Sequence, residues 1–501
     1  MKVVEQFKRR ILDLAIRGKL VPQDPNDEPA SVLLERIKAE KAKLVKAGKI
    51  KKEKNPSEIV IGSDGAAYEK LGVGCCNAEA QRRRVDVSFD LPQGWAWVRL
   101  RDLGTFTGGH TPSTSNRDLW GDEVLWVTSK DMKSKYINDT ILKLTQLGAA
   151  ELTMLKPNSI IMCTRSGILR RTFPVAIATQ HLTINQDQRA LTLYIPEMAE
   201  YIYDVLKAFE SVILAHYKKA GTTVESIIWN RFTEIPIPMP PLPEQRRIIA
   251  KIEELFAIAD SLGVAVDGLE NAAKRLDKKV LDLAIRGKLV PQDPDDEPAS
   301  ELVKRIAASH KSPCKNQGKP IDPPFEIPAS WEWVRLKELG VFCGGHTPST
   351  SNPKLWGGDI LWVSSKDMKS KYIDDTQIKV TRLGAEELNV LKPGALLMCT
   401  RSGILRRVFP VAIARRELTI NQDQRALTLW LPEMIEYVYL ALKSLESIIL
   451  SDYKKSGTTV ESIIWNKFVD LPIPLPPLNE QKRIVKRVEE LKATTRTLVT
   501  F

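Results

Sequence analysis

The chain has 501 residues, enough for about three domains. Hydrophobic residues make up 43% and charged residues 27%, and no run of 18 apolar residues occurs, so a disordered chain and a membrane-spanning helix are excluded. Six cysteines without a C-x-x-C pair exclude a disulfide scaffold and a zinc knuckle, and the N-terminus lacks the apolar stretch of a signal peptide. We therefore expect a reducing, cytoplasmic compartment. The formal net charge of +12 favours a polyanionic partner, with nucleic acid first.

Long stretches of the sequence occur twice. Residues 12–31 (LDLAIRGKLVPQDPNDEPAS) return 269 positions later with one substitution, and residues 95–242 return without a gap 236 positions later. This period is far too long for a solenoid repeat. We therefore predict a tandem duplication of a domain of about 150 residues together with a helical element.

The duplication divides the chain into seven predicted segments. They are an N-terminal helical element (1–37), a basic linker or insert (38–90), a first large domain (91–242), a central long helix and connector (243–306), a linker (307–326), a second large domain (327–478) and a C-terminal helix (479–501). The basic insert has no counterpart in the second half and carries eight Lys and two Glu between Lys38 and Asn55. Such a run is typical of a solvated linker, and the alternative is an arm that binds phosphates without sequence preference.

Each large domain is predicted to be mixed α/β. In the first copy, residues 95–106 and 125–133 mix apolar strand-like runs with turn residues. Residues 155–167 predict a turn, a buried strand and a loop, and Pro196–Tyr217 has the amphipathic pattern of a helix.

The central helix carries an apolar heptad seam of eleven positions, namely Ile248, Ile252, Leu255, Ala259, Leu262, Val266, Leu269, Ala273, Leu276, Val280 and Leu283. Gly263 and Gly268 predict a weak point where the helix could kink, and Gly287 and Pro291 are predicted to end it. The C-terminal residues reproduce the first half of this seam, and the N-terminal residues reproduce the second half. This register predicts two long antiparallel helices in a coiled coil, which close a pseudo-two-fold ring with adjacent termini. The alternative is a helical linker with a frayed tail.

Motif searches predict neither a catalytic residue nor a metal site. Glycine-rich nucleotide motifs, H-E-x-x-H and the G-x-S-x-G elbow do not occur, and His110 and His346 have no nearby Cys or His. Asp322–Phe325 (DPPF) matches a motif of amino-methyltransferases, but no glycine-rich turn that could hold S-adenosylmethionine accompanies it. The first copy reads VSFD at the matching place, so we interpret DPPF as linker.

Four cationic polar segments recur in each large domain, and their chemistry suits DNA. Arginine can bind guanine or phosphate, amides suit adenine, and lysine and hydroxyl groups suit the backbone. The predicted DNA-binding residues of the first domain are His110, Thr111, Lys130, Lys133, Lys135, Arg165, Arg170, Arg171, Asn185, Gln186, Arg189, Lys218, Lys219, Thr222 and Thr223. Those of the second domain are His346, Thr347, Lys366, Lys369, Lys371, Arg401, Arg406, Arg407, Asn421, Gln422, Arg425, Lys454, Lys455, Thr458 and Thr459. The alternative for each segment is a solvated turn.

Several of these segments together resemble the specificity (S) subunit of type I restriction-modification systems. The similar pieces are LAIRGKLVPQDPNDEPAS, GGHTPSTSN, WVTSKDM, LKPNSIIM, GTTVESI and IPIPMPPLPEQRRI, with their copies in the second half. The resemblance implies two target recognition domains separated by two antiparallel helices. It also implies a bipartite double-stranded DNA target, a bacterial or archaeal cytoplasm, and no membrane partner.

The resemblance further implies partners that carry the chemistry. These are two methyltransferase (M) subunits with S-adenosylmethionine and, in the full complex, two restriction (R) subunits with ATP and Mg²⁺, so this chain would hold no cofactor itself. Because the two domains share their polar segments, we expect both half-sites to be nearly the same, which gives an interrupted near-palindrome. The alternatives are a stand-alone DNA-binding regulator and a fused methyltransferase.

Overall fold

The computed structural model describes residues 2–52, 57–62, 64, 66–71, 83–221, 224–308, 321–457 and 460–499. The chain divides into two compact units, Met1–Val264 and Ala265–Phe501, and each contains one of the predicted large domains. The boundary falls inside one long helix, so each unit includes part of that helix. The mixed α/β class predicted from the sequence is confirmed.

The first unit begins with two helices and a small sheet and continues into a mixed α/β domain. Its helices are α1 (Lys2–Ile16), α2 (Ala30–Lys46), α3 (Gln146–Ala150), α4 (Ala199–Ala208), α5 (Glu210–His216), α6 (Trp229–Phe232) and the start of α7 (Leu242–Ile285). Its strands are β1 (Ser57–Ile61), β2 (Ala67–Leu71), β3 (Arg83–Arg84), β4 (Ala96–Arg99), β5 (Gly104–Gly108), β6 (Trp120–Gly121), β7 (Val124–Val127), β8 (Tyr136–Ile137), β9 (Leu142–Leu144), β10 (Ile160–Cys163), β11 (Arg165–Ser166), β12 (Val175–Ala178), β13 (Thr183–Ile184), β14 (Gln188–Leu193), β15 (Lys218–Lys219), β16 (Glu225–Ile227) and β17 (Pro236–Met239).

A five-stranded sheet in the order β5-β14-β10-β12-β8 lies at the centre of the first domain. Successive residues of a strand point to opposite faces, and both faces of this sheet are covered. On β10, Ile160 and Met162 join a core with residues of α1 and α4, whereas Ile161 and Cys163 join a second core with Val127 of the four-stranded sheet β13-β7-β9-β6. The predicted buried strand is therefore confirmed, since all four residues of β10 are buried.

The single helix predicted over Pro196–Tyr217 is two helices, α4 and α5. They meet at Phe209, which is 8% exposed and has backbone angles of −85° and 2°, outside the helical range. Both helices keep an apolar face toward the core, so the amphipathic pattern continues across the break.

The basic stretch 38–90 contains more structure than a linker. Helix α2 extends to Lys46, and β1, β2 and β3 form an antiparallel sheet in that order. This small sheet packs against Trp97 of strand β4. The buried residues on its side of the contact are Ile59, Ala67 and Val85, the last of which directly follows β3. The described part of the insert is therefore folded onto the first domain, because its few apolar side chains cover an exposed edge.

Within its described residues, the second unit repeats the domain without the small sheet. Its helices after α7 are α8 (Ala299–Ala308), α9 (Arg382–Glu386), α10 (Ile435–Ser444), α11 (Glu446–Asp452), α12 (Trp465–Phe468) and α13 (Leu478–Val499). Its strands are β18 (Glu332–Arg335), β19 (Gly340–Gly344), β20 (Trp356–Val363), β21 (Tyr372–Ile373), β22 (Lys379–Val380), β23 (Leu396–Cys399), β24 (Arg401–Ser402), β25 (Val411–Ala414), β26 (Leu418–Ile420), β27 (Gln424–Leu429), β28 (Lys454–Lys455), β29 (Glu461–Ile463) and β30 (Pro472–Leu475). The central sheet has the equivalent order, β19-β27-β23-β25-β21.

Helix α7 has 44 residues and continues through both glycines of its middle without a break. In the first unit it runs antiparallel to α1, since Lys8 pairs with Asp260 at 2.5 Å and Val4 lies beside Gly263. In the second unit its later part runs antiparallel to α13, since Thr495 donates to Asp277 at 3.1 Å and Gln292, just after the helix, donates to Glu480 at 2.6 Å. Each unit thus contains one antiparallel helix pair, and the ring that would join the pairs stays a prediction.

The apolar seam of α7 is buried only toward the two ends of the helix. Ile248, Ile252, Ala259 and Val280 are at most 4% exposed. In the middle of the helix the seam side chains are between 44% and 56% exposed; they are Leu262, Val266, Leu269 and Leu276. The predicted helix end is confirmed, since Gly287 adopts a left-handed φ of 65° two residues after the last helical residue.

The DPPF sequence of the second half has a structural role. Phe325 packs on Trp333 with ring centroids 5.0 Å apart, and the Arg286 guanidinium lies 4.4 Å from the Phe325 ring centroid. Phe89 makes the equivalent contact with Trp97 in the first unit, at 5.2 Å. The interpretation of this sequence as a connecting segment fits these contacts, while most of the predicted linker around it lies outside the described residues.

Candidate nucleic-acid interface

Three of the predicted DNA-binding segments converge in the first domain. The arginine-rich segment 164–171 leaves β10 and enters a three-stranded sheet, β11-β16-β15, whose third strand carries Lys218 and Lys219. The backbone N–H of Thr164 donates to the carbonyl of Asp187 at 2.8 Å, which ties the segment to NQDQR. Strand pairing and backbone hydrogen bonds therefore hold the three segments side by side.

The GGHTP loop joins the same group. Gly109 approaches the Asn185 backbone so closely that a Cβ atom would lie 2.0 Å from its carbonyl oxygen, so only glycine fits. Next to this contact, Thr111 hydrogen-bonds the Gln186 side chain, and His110 is exposed. The close approach brings the fourth loop beside the other three.

We call the predicted residues that these contacts bring together the loop cluster. In the first domain it comprises His110, Thr111, Arg165, Arg170, Arg171, Asn185, Gln186, Arg189, Lys218 and Lys219. In the second domain it comprises His346, Thr347, Arg401, Arg406, Arg407, Asn421, Gln422, Arg425, Lys454 and Lys455. The predicted hydroxyl residues Thr222, Thr223, Thr458 and Thr459 lie outside the described residues.

Carboxylates lie beneath the cations of the loop cluster. Arg170 and Lys218 both pair with the nearly buried Glu225, and Arg165 lies 3.6 Å from Asp187. In the second domain, the hydrogen bond from Lys454 is the main cause that lowers the pKa of the equivalent Glu461. These carboxylates orient the cations from below, while the side chain of Arg165 stays 63% exposed and that of Arg170 55% exposed.

Arg171 and Lys219 have no carboxylate partner among the described residues, and both are exposed. Their charge is therefore not neutralised within the part of the domain that the structure covers. An exposed cation without an acidic partner is available to a phosphate oxygen.

A tryptophan that the sequence analysis missed orients one arginine of each cluster. The Arg189 guanidinium lies 4.5 Å from the ring centroid of Trp229, and Arg425 lies 4.9 Å from that of Trp465. Phe106 contacts Trp229 edge-on, with ring centroids 4.9 Å apart. Such stacking restricts a guanidinium to one plane. The position of a tryptophan directly after GTTVESII was the available signal.

The amide of Asn185 is partly used within its own turn. Its Oδ1 accepts the backbone N–H of Asp187 at 2.9 Å, and Asn421 makes the equivalent bond at 3.1 Å. A bidentate contact with adenine needs both the oxygen and the nitrogen of an amide. The exposed Gln186 and Gln422 are engaged in a similar way, because their Oε1 atoms accept the hydroxyl groups of Thr111 and Thr347.

The lysines of SKDMKSK divide into two groups. Lys130, Lys133 and their counterparts Lys366 and Lys369 are exposed on a loop that Asp131 or Asp367 closes. Lys135 instead lies 3.6 Å from both Glu200 and Glu253, and Lys371 pairs with Glu436 at 2.6 Å and Glu489 at 2.7 Å. The last lysine of each segment thus connects its domain to a long helix, α7 for Lys135 and α13 for Lys371. The neighbouring sequence did not predict this contact.

Among the described residues, no group of three or more His, Cys, Asp and Glu could hold a metal ion, and no helix is long and apolar enough to cross a membrane. Burial raises the pKa of the Cys163 and Cys399 thiols to about 11, so both side chains serve as core residues.

Comparison with known proteins gives the family. A family model described as type I restriction modification DNA specificity domain matches residues 92–262 and 328–499. The chain therefore belongs to this family, as its resemblance predicted.

Two curated relatives from Escherichia coli cover almost the entire chain. The specificity subunit of the type I restriction enzyme EcoAI is 30% identical over 99% of this chain and 90% of its own length. The specificity subunit of the EcoEI enzyme is 26% identical over 97% of this chain and 89% of its own length. A chain from a solved structure on complex assembly and conformational transition of the type I R-M system has a TM-score of 0.55 at 19% identity, covering 82% of this chain and 93% of that one. This last likeness concerns the fold.

Proposed function

We propose that this chain reads a bipartite DNA target for a type I restriction-modification complex, with one half-site bound by each large domain. The observation that carries the proposal is the loop cluster, in which three cationic segments and the GGHTP loop, far apart in sequence, meet on each domain. Arg189, stacked on Trp229, and Arg170, paired with Glu225, hold their N–H donors in fixed directions and can bind bases. Arg171 and Lys219, which have no carboxylate partner among the described residues, can bind phosphates.

The proposed target is an interrupted near-palindrome. The two loop clusters have the same residue at every position, from His110 and His346 to Lys219 and Lys455. Two domains with the same donors and acceptors prefer the same bases, and a two-fold relation between them would place those bases on opposite strands.

The chemistry of the proposed complex resides on the partner subunits. Two methyltransferase subunits would supply S-adenosylmethionine and modify adenine, and two restriction subunits would supply ATP, Mg²⁺ and cleavage. Taking a base out of the duplex requires a pocket that encloses it. Because the partner subunits would supply both reactions, we expect this chain to position them on DNA without catalysing a step itself. We expect it to act in the cytoplasm.

The proposal is tested by methylome sequencing of a host that expresses the chain with its methyltransferase partner. The expected result is one interrupted motif whose two halves are the same or nearly the same. Two clearly different half-sites would overturn the near-palindrome, and the absence of any new methylated motif would overturn the proposed function.

A binding experiment assigns the loop cluster. Replacing Arg170 and Arg171 with Ala should weaken DNA binding and reduce the slope of log K against log salt by about 0.9 for each lost phosphate contact. The matched control is Lys156→Ala, which removes an exposed cation before β10, at the opposite end of that strand from the arginines. Equal effects of the two changes would show that the loop cluster does not contact DNA.

A further inference from the structure

One apolar side chain stands among the cations of each loop cluster. Ile168 is 39% exposed, and its counterpart Ile404 is 41% exposed. Each lies in a short 3-10 turn, Gly167–Arg170 or Gly403–Arg406, between the arginines of the TRSGILRR segment. An isolated exposed isoleucine is common on protein surfaces, so its function has to be argued from how it is held and what surrounds it.

The turn fixes the direction of the isoleucine. Ser166 accepts the backbone N–H of Ile168 at 3.3 Å, and the next residue, Leu169, is fully buried. In the second domain, Ser402 and Leu405 do the same for Ile404. A buried neighbour on one side and a capped turn on the other leave the isoleucine directed away from the core, so little conformational freedom is lost when it meets a ligand.

The surroundings select the kind of ligand. The cations on either side of Ile168 in the sequence have side chains that are more than half exposed, Arg165 at 63% and Arg170 at 55%. Phosphate and sugar oxygens gain nothing from an aliphatic side chain, whereas the C5-methyl of thymine is the apolar group that a base pair presents in the major groove. An aliphatic side chain with arginines on both sides therefore suits the major groove, where a thymine methyl lies beside hydrogen-bonding base edges.

We propose that Ile168 and Ile404 each contact the C5-methyl of a thymine in their half-site and thereby contribute to base selection. This inference rests on the proposed function, since it takes the loop cluster as the DNA-binding face. It adds a residue outside the cationic and amide groups predicted from the sequence and assigns it one chemical group of the target.

The test compares thymine with deoxyuridine, which differs only in lacking the methyl group. Each thymine of the two half-sites is replaced in turn, and duplex affinity is measured for the full chain bound to its methyltransferase partner. Loss of one buried methyl should weaken binding about fourfold in each half-site. In the Ile168→Ala and Ile404→Ala double variant, the same replacement should have no effect, because the contact is already gone.

The control variant is Ile141→Gln, which changes an isoleucine that is 68% exposed elsewhere in the domain into the residue that the second copy carries at the matching Gln377. It should retain the full difference between thymine and deoxyuridine. Since Ile168 and Ile404 are exposed, the double variant should also keep the thermal midpoint of the original chain.

Two outcomes overturn this inference alone. If the complex binds its target specifically but no thymine shows a penalty, or if the double variant keeps the penalty, the isoleucines do not contact a thymine methyl. If the complex shows no preference for any sequence, the proposed function itself fails.

Discussion

The two halves of the chain build the same domain, yet they differ in the framework around the loop cluster. The first domain carries the small sheet of the insert against Trp97, whereas the matching Trp333 is half-buried and contacts Phe325. A buried carboxylate, Asp204, stands where the second domain has the buried Leu440. The loop residues are identical while their supports differ, so each difference can be tested within one chain by using the other half as its control.

The largest expected effect concerns the tryptophan beneath the insert. Trp97 is 3% exposed, and Trp97→Ala should lower the free energy of unfolding of the first unit by about 3–5 kcal/mol. Trp333→Ala should cost about half as much because less of that side chain is buried. Denaturant unfolding with hydrogen exchange resolved for each unit measures both values. Equal costs would mean that the small sheet does not protect Trp97 in solution.

The second prediction exchanges the buried carboxylate for leucine. Burial is the main cause that raises the pKa of Asp204 from 3.8 to about 7, with Glu200 and Glu253 adding to it and Lys135 opposing it. A carboxyl with a raised pKa in the folded state binds its proton more tightly there. Its contribution is present below pH 4, and stability is lost as the pH rises toward 7.

Asp204→Leu should therefore stabilise the first unit by roughly 2–4 kcal/mol at pH 8 and remove the decline in stability between pH 4 and 7. Leu440→Asp should introduce the same decline in the second unit. Unfolding free energies measured across this pH range for both variants check the expectation, and a parallel pH profile for Asp204→Leu and the original chain would contradict it.

The third prediction separates the lysines that hold helices from those available to DNA. Burial lowers the pKa of Lys371, but its hydrogen bonds to Glu436 and Glu489 outweigh burial and leave the pKa raised. Lys371→Met should destabilise the second unit by about 1–2 kcal/mol, whereas Lys135→Met, with both partners at 3.6 Å, should cost less than about 1 kcal/mol.

Neither lysine variant should change the salt dependence of DNA binding if these side chains serve the helices. A slope that falls by about 0.9 in either variant would restore the phosphate contact predicted from the sequence. The exposed Lys133 provides the comparison, since Lys133→Met removes a lysine of the same segment that is free to meet a phosphate.

Much of the fold could be predicted because duplication and local patterns are written in the sequence. Identical blocks located the two domains, and the apolar run of β10 marked a strand buried on both faces. The insert was misjudged because its sheet forms by pairing short strands around a single tryptophan, and charge composition does not reveal such a contact. The exposed middle of the α7 seam was missed because periodicity identifies a face without showing whether another helix covers it.

The residue types of the candidate site could be predicted from the sequence, whereas the way in which they come together could not. The segments rich in arginine, lysine and amide residues identified the members of the loop cluster. These segments converge because the strand order β5-β14-β10 places distant parts of the chain side by side. The partners of Lys135 and the stacking of Arg189 on Trp229 also join residues far apart in the chain. A local pattern can mark such a tryptophan or lysine, but it does not encode the distant residue that the side chain contacts.

The smallest expected effect concerns the three adjacent positions at which the polar turns of the two domains differ. The first domain has Thr179, Gln180 and His181, and the second has Arg415, Arg416 and Glu417. In the first domain Thr179 donates to the carbonyl of Ile137 at 2.7 Å. In the second, Arg415 lies 3.8 Å from the ring centroid of Tyr372 and 3.9 Å from Asp374. Both turns are thus occupied with contacts inside their own domain.

The position of these turns also argues against a role in base selection. β12 runs antiparallel to β10, so the turn after β12 lies where β10 begins, while the arginine-rich segment follows the end of β10. Changing Arg415, Arg416 and Glu417 to Thr, Gln and His should therefore alter DNA affinity by no more than about twofold, as expected of surface positions. The methylated motif should stay unchanged in both halves. A motif whose second half changes with this replacement would show that the turn, in addition to the loop cluster, selects bases.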